Sequence, residues 1–474
     1  MRVFSQIQFF TAVLTALLLC GSGHEVRAQT SAQCGFSPEV IVTLRDPQFG
    51  IPTVWDSAFE DENDGMAEFA AGLPLQDGTL MAAGEILSGK DFKPAERVLV
   101  QMNRRHRVMM ERRHPAALNE KAADIMALNK GFVIASTFSG PRKERRVKLS
   151  WYDAKATFKK EKIFKDSDYD YTAYDLDHAV SGNRIMLLVQ AVNRKNPEDQ
   201  YGVLMQLSAD GKLLWRRAYR PGIPNLLDGI TPLAGKEDYL AYGRIRMEDG
   251  RDAAWLIELN HDGTIVWQRT YPRGKASILR DAQPAKGGFI LTGESEPLDD
   301  KGGAGWVMKV MNLGIPVWQS YYRAKDYALD GVGSIVFEDG RIAVALNAQA
   351  LEGTFGRNHI RMLTLNPRGV MMQDQAYIEG RMAAARQFLE GNKDERIAIA
   401  NITALPHLAE RKDRVKLSIS GPGEMGPALP LESETAKKSE ETGALPRLQG
   451  WFLVATPLDP YQDPCEVPAI QGAP

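Results

Sequence analysis

The sequence predicts an all-β chain folded as a seven-bladed β-propeller of four-stranded antiparallel blades. Three observations carry that expectation: a strand-turn-strand phrase recurring about every fifty residues, an apolar strand ahead of each copy, and the lack of a convincing amphipathic helical stretch. The phrase is plainest in LSADGKLLWRRAYRPG (207–222) and LNHDGTIVWQRTYPRG (259–274). Its glycine recurs at Gly211, Gly263, Gly314 and Gly369, with His106 and Ala156 in the same slot of two degraded copies, so copies lie 50 to 55 residues apart. Regular spacing of that size marks structural repeats. The apolar strand occurs seven times, at 78–85, 131–138, 183–190, 238–245, 288–295, 340–347 and 395–402. That is one copy more than the glycine register finds.

Each unit reads as four strands. In the clearest copy AAWLIELN (253–260) and GTIVWQRTY (263–271) alternate apolar and polar residues, the signature of half-buried strands. Asp262-Gly263 between them predicts a tight hairpin turn of the primed type, in which glycine supplies a positive φ. DGITPLAG (228–235) and DYLAYGRI (238–245) supply the other two strands. A four-stranded unit cannot bury both faces alone, so copies must stack. Units of this length fit propeller blades better than the shorter rungs of a solenoid.

The ends of the chain add a second argument. Arg2, the apolar run Phe9 to Leu19 and a Val26-x-Ala28 site read as an export signal over residues 1–28, which places the mature chain in the periplasm or the medium. Cys20, within LLLCGSG, leaves lipidation as the alternative. Cleavage after Ala28 leaves Cys34 and Cys465, and two cysteines in an oxidising compartment favour a disulfide. A bond between them requires the termini to meet, as a closed ring demands. Residues 29–63 are then an N-terminal segment with a ring-closing strand, 64–458 the propeller, and 459–474 a tail holding Cys465. EVIVTLR (39–45) and GWFLVATPL (450–458) are the candidates for closing the ring. Residues 421–446, rich in Pro, Gly, Glu and Ser, read as an exposed and disordered insertion.

Composition excludes more than it names. A formal net charge of −2 over 474 residues gives no global attraction to nucleic acid or anionic lipid. No window after the signal is long and apolar enough to span a membrane. Basic clusters at 103–107, 111–114 and 141–146 and an acidic one at 294–300 read as solvated edges that discourage strand pairing. A monomer is expected.

The phrase Gly211 to Trp215, Gly263 to Trp267 and Gly314 to Trp318 resembles the blade motif of bacterial extracytoplasmic propellers of the quinoprotein-like superfamily. That resemblance implies that each indole docks between neighbouring sheets. The family's aspartate and threonine slots hold Leu207, Leu259 and Val310, then Asp210, Asp262 and Leu313, and a vicinal cysteine pair is lacking. No cofactor is therefore expected.

Candidate sites are sparse. Asp166, Asp168, Asp170 and Asp177 match part of a calcium-loop template, but Tyr171 replaces its glycine. A turn is the alternative, since the repeat alignment puts Asp177 in the slot of Asp228, Asp281 and Asp330, just ahead of a blade's first strand. No histidine stands at zinc spacing with a second ligand. Loops joining second to third strands gather on one face of a propeller, and there Arg194, Arg246, Asp299, Asp300 and Arg357 suit polar recognition. The leading expectation is a non-enzymatic binding or scaffold protein for protein or glycan partners of the cell envelope. The alternative is a propeller enzyme, a quinoprotein-like oxidoreductase or a glycan-acting hydrolase, with channel carboxylates.

Overall fold

A computed structural model describes residues 39–47, 54–59 and 448–455, and residues 66–403 apart from short gaps at 76, 89–92, 104–106, 129–130, 180–182, 234, 297–301, 352–357, 381 and 392–394. Among these residues all regular structure is β-strand. The signal segment, Cys34, Cys465 and the 421–446 insertion lie outside them.

Six blades are each made of four consecutive antiparallel strands: residues 66–115, 121–164, 169–219, 225–271, 276–323 and 327–380, blades one to six. A further four-stranded sheet joins Met382–Glu390, Arg396–Thr403 and Leu448–Ala455 to Val54–Phe59 from the other end of the chain. All seven apolar segments picked out by sequence are second strands, paired along both edges and covered on their faces by the adjoining sheets. The first strands touch one another in an unbroken cycle, with Met382–Glu390 against both Tyr327–Val336 and Met66–Pro74. The chain is a β-propeller, and the composite sheet sits between blades six and one.

Joints between sheets repeat one construction. Every first strand carries a bulge, at Ala70, Ala123, Tyr174, Asp228, Arg280, Val332 and Arg386. At four of the seven joints the residue after a bulge reaches the next first strand, two residues past its bulge: Asp124 accepts from Leu176 N at 3.1 Å, Asp175 from Ile230 N at 2.7 Å and Asp281 from Ser334 N at 2.7 Å. Gln387 does the same to Gly72 N at 2.8 Å, across the join of the chain ends. Asn347 brackets the Ala385 backbone at 2.7 and 3.1 Å, and Asn401 brackets that of Phe69 at 2.7 and 2.8 Å. These side chains supply the hydrogen bonds that a bulge denies its own ladder.

Three expectations are corrected. The Asp262-Gly263 hairpin is not a primed two-residue turn: Gly263 N donates to Asn260 O at 2.9 Å, φ is +79° at Gly263 alone in that turn, and the next strand bulges at Val266. This is the longer loop with a glycine bulge, which needs only one left-handed residue. Glu39–Thr43 does not join the closing sheet but adds in parallel to the outer strand of blade five, and Val54–Phe59 pairs with Leu448–Ala455 instead. Asp177, Asp228, Asp281 and Asp330 lie inside first strands and in different slots relative to the bulge.

Candidate functional site at the channel mouth

The first strands line the central channel, so their bulged residues are the ones re-aimed into it. The bulge residues are partly or fully open, while at least one flanking residue of each is buried. Three are small or aliphatic, Ala70, Ala123 and Val332. The others, Tyr174, Asp228, Arg280 and Arg386, carry polar chemistry.

Arg280 is the hub of one cluster. Its Nη1 donates to Asp228 Oδ2 at 2.7 Å across the blade four/five joint, and its Nη2 to Glu294 Oε1 at 3.0 Å. Asp330 on blade six completes the group, receiving Asn347 Nδ2 at 3.4 Å and Gln349 Nε2 at 3.5 Å. Burial works against the Arg280 charge, but Asp228 and Glu294 outweigh it and hold the guanidinium above its usual range. Burial raises the Asp228 carboxyl, although Arg280 opposes the shift. Asp330 is pushed up to about 6, by burial and then by the neighbouring Glu294 charge. Burial and Asp228 also raise the Tyr174 hydroxyl. A second cluster faces it: Glu68 of blade one binds Arg386 at 3.0 Å and Lys121 at 3.3 Å. Both clusters lie where second strands end and first strands begin, toward the face of the second-to-third-strand loops. At the blade two/three joint Asp124 and Asp175 hydrogen-bond to each other, and burial raises both, Asp124 further through the Asp175 charge.

Of the residues picked out by sequence, the Gly-Trp pairs are placed most sharply. A Cβ on Gly263 would lie 2.8 Å from the Trp215 ring, one on Gly314 2.8 Å from Trp267, and one on Gly369 2.7 Å from Trp318. Each indole therefore lies against the turn of the following blade, and Trp151 of blade two covers Gly211 likewise, at 2.7 Å. Neighbouring residues seal the same turns: Tyr219 and Tyr271 donate to the Gly263 and Gly314 carbonyls at 2.9 and 2.7 Å. Ala156, the degraded copy, keeps the left-handed φ at +55°. On the rim, Arg194 is bound to the Ser167 carbonyl and lies 3.5 Å from Asp170, and Arg246 pairs with Asp252 across its own hairpin. Asp299, Asp300 and Arg357 lie outside the described residues.

No family model matches this chain, and no curated protein does. Solved structures similar to it include puromycin hydrolase, at 12% identity and TM-score 0.45 over 70% of this chain and 50% of that one. Sqt1 from Chaetomium thermophilum is similar at 9% identity and TM-score 0.42, over 73% and 96%. The α-L-arabinofuranosidase of Fusarium graminearum is similar at 9% identity and TM-score 0.43, over 66% and 99%.

In the 166–177 loop, Asp166 Oδ1 accepts from Asp168 N at 2.9 Å and Tyr169 N at 3.3 Å, while Asp170 faces Arg145 and Arg194. Asp177 lies on the strand, paired with Met186. That is the hydrogen bonding of an aspartate turn. Among the described residues no three His, Cys, Asp or Glu side chains are grouped to hold a metal, and no helix is long and apolar enough to cross a membrane.

The channel clusters were invisible in the sequence because a bulge interrupts the alternation that tells inward from outward residues. The available signal was charge at a fixed offset in two successive first strands: Asp228 and Arg280 stand 52 residues apart.

Proposed function

We propose that this chain is a non-enzymatic extracytoplasmic propeller that binds a protein or glycan partner of the cell envelope at the channel mouth. The observation that carries this reading is the pair of interblade clusters, Asp228, Arg280 and Glu294 opposite Glu68, Lys121 and Arg386. Both signs of charge, partly desolvated and fixed by rigid strands, suit selective polar recognition. The same reading takes the composite sheet as a seventh blade and Cys34 with Cys465 as a disulfide beside it. It places the chain among quinoprotein-like propellers, which the indole-on-turn packing supports, and it assigns no cofactor.

Photo-crosslinking residues at Arg244 and Gln349, beside the channel mouth, test the reading against the same residues at Leu214 and Val266, on the outer edge. Adducts with envelope partners are expected from the first pair only. Equal adducts from both pairs, or adducts from the outer edge alone, would overturn it.

Asp330 favours a second reading, a glycan-acting hydrolase, because a carboxyl held near 6 beside the Glu294 carboxylate is suited to proton donation. Turnover of a polysaccharide that Asp330→Asn abolishes, with melting temperature unchanged, would establish it.

A further inference from the structure

The outer strands of the six blades are blunted against pairing by two devices. All six bulge, at Met109, Lys159, Leu214, Val266, Val317 and Met372. Four of them also carry cations along the edge, as at Arg112, Lys160, Arg216 and Arg269. Bulges and edge charges are the usual protection of an open ladder. The outer strand of blade five, Pro316–Arg323, has no charge before Arg323, and it is the one that accepts Glu39–Thr43.

Among the described residues that added strand is the edge of the blade-five sheet; it has no bulge, and its one charge is Glu39 at its end. Its five residues pair without a register shift. Val40, Ile41, Val42 and Thr43 are uncharged and all β-branched. Val40 is 36% exposed and Ile41 59%. The strand is fixed rather than frayed: Glu39 accepts from Gln319 Nε2 at 3.1 Å, Leu44 N donates to Arg323 O at 2.7 Å, and Arg361 reaches the Arg45 carbonyl at 2.6 Å.

We propose that this edge pairs with the same strand of a second copy, joining two blade-five sheets in a symmetric dimer. The sequence is self-complementary for antiparallel pairing centred on Ile41. Ile41 then faces Ile41, Val40 faces Val42, and Glu39 faces Thr43, so no like charges oppose. A two-fold axis requires such an isologous contact, and each apolar cross-strand pair contributes to it. Five residues a side is a small interface, so the dimer is weak and concentration-dependent.

Sedimentation of the full chain from about 1 to 300 μM, a span that covers weak micromolar association, tests this. The wild type is expected to move from monomer toward twice its mass. Ile41→Lys should stay monomeric with an unchanged melting temperature, because that side chain is already exposed. Leu214→Lys, on the outer strand of blade three, should dimerise like the wild type. A wild type that remains monomeric throughout, or an Ile41→Lys chain that still dimerises, would overturn the proposal.

Discussion

Gly263 shows how much structure one residue determines in this chain. Its φ of +79° and the 2.8 Å approach of the Trp215 ring make two separate demands that only glycine meets. Ala at this position adds backbone strain of about 1 kcal/mol and displaces an indole. Gly263→Ala is expected to lower the melting temperature more than Gly250→Ala, where φ is +83° but nothing lies within 4 Å of a new Cβ; equal losses would show that the indole yields freely. This glycine and its tryptophan were legible because the need recurs in copy after copy. Glu85 was not legible, since a lone acid in an apolar strand carries no mark of burial. Its carboxyl is held up to about 8, chiefly by desolvation, although the Ala122 N–H it binds opposes this. The folded chain therefore takes up a proton that the unfolded chain releases above the ordinary glutamate value of 4.5. Stability from this group is full below that pH and is lost as pH rises toward 8. Glu85→Gln, which keeps the acceptor, should flatten the fall in melting temperature between pH 5 and 8. An unchanged slope would mean that Glu85 ionises without cost.

At the scale of elements, the periodic features were readable and the interruptions were not. Second strands are apolar on both faces and recur seven times, so they stand out from any neighbour. First strands bulge, which shifts the alternation by one residue midway. Asp281 and Asp228 thus look alike in sequence, yet one clamps the next blade and the other faces the channel. The N-terminal strand was misplaced for a related reason: EVIVT fits any open uncharged edge, and only the lack of charge along Pro316–Arg323 singles out blade five. The clamps make a quantitative claim. Asp281→Ala removes the acceptor for both Ser334 N and Ser334 Oγ, at 2.7 and 2.8 Å, and leaves two buried donors without it. A loss of about 2 to 4 kcal/mol is expected, read as a lower denaturant midpoint with unchanged slope. A loss under about 0.5 kcal/mol would fall within the range of an ordinary surface change and would mean that water replaces the carboxylate.

At the scale of the whole molecule, one joint differs from all others in connectivity. Neighbouring blades one to six, and blade six and the composite sheet, are linked by the chain running from one into the next. Blade one meets the composite sheet through non-local contacts, because the chain passes between them only by way of residues 60–65 at its outer strand. Asn347 and Asn401 make this difference measurable, since each brackets one backbone unit with the same two hydrogen bonds. Asn347→Ala cuts them at a joint with direct continuity, and Asn401→Ala cuts them at the join of the ends. If the Cys34–Cys465 bond forms, it links the chain ahead of Glu39–Thr43 on blade five to the chain beyond Leu448–Ala455 of the composite sheet and so tethers both ends, closing a loop of over 400 residues, for which the chain-entropy model gives about 6 kcal/mol. Oxidised protein should then tolerate the two substitutions equally. After reduction, Asn401→Ala should become the more sensitive to proteolysis, with cleavage beginning near residues 60–66 and beyond Thr403 while blades two to five stay intact. Equal proteolysis of the two reduced variants would show that ring contacts alone hold the ends. Greater sensitivity of Asn401→Ala before reduction would show that no disulfide spans them.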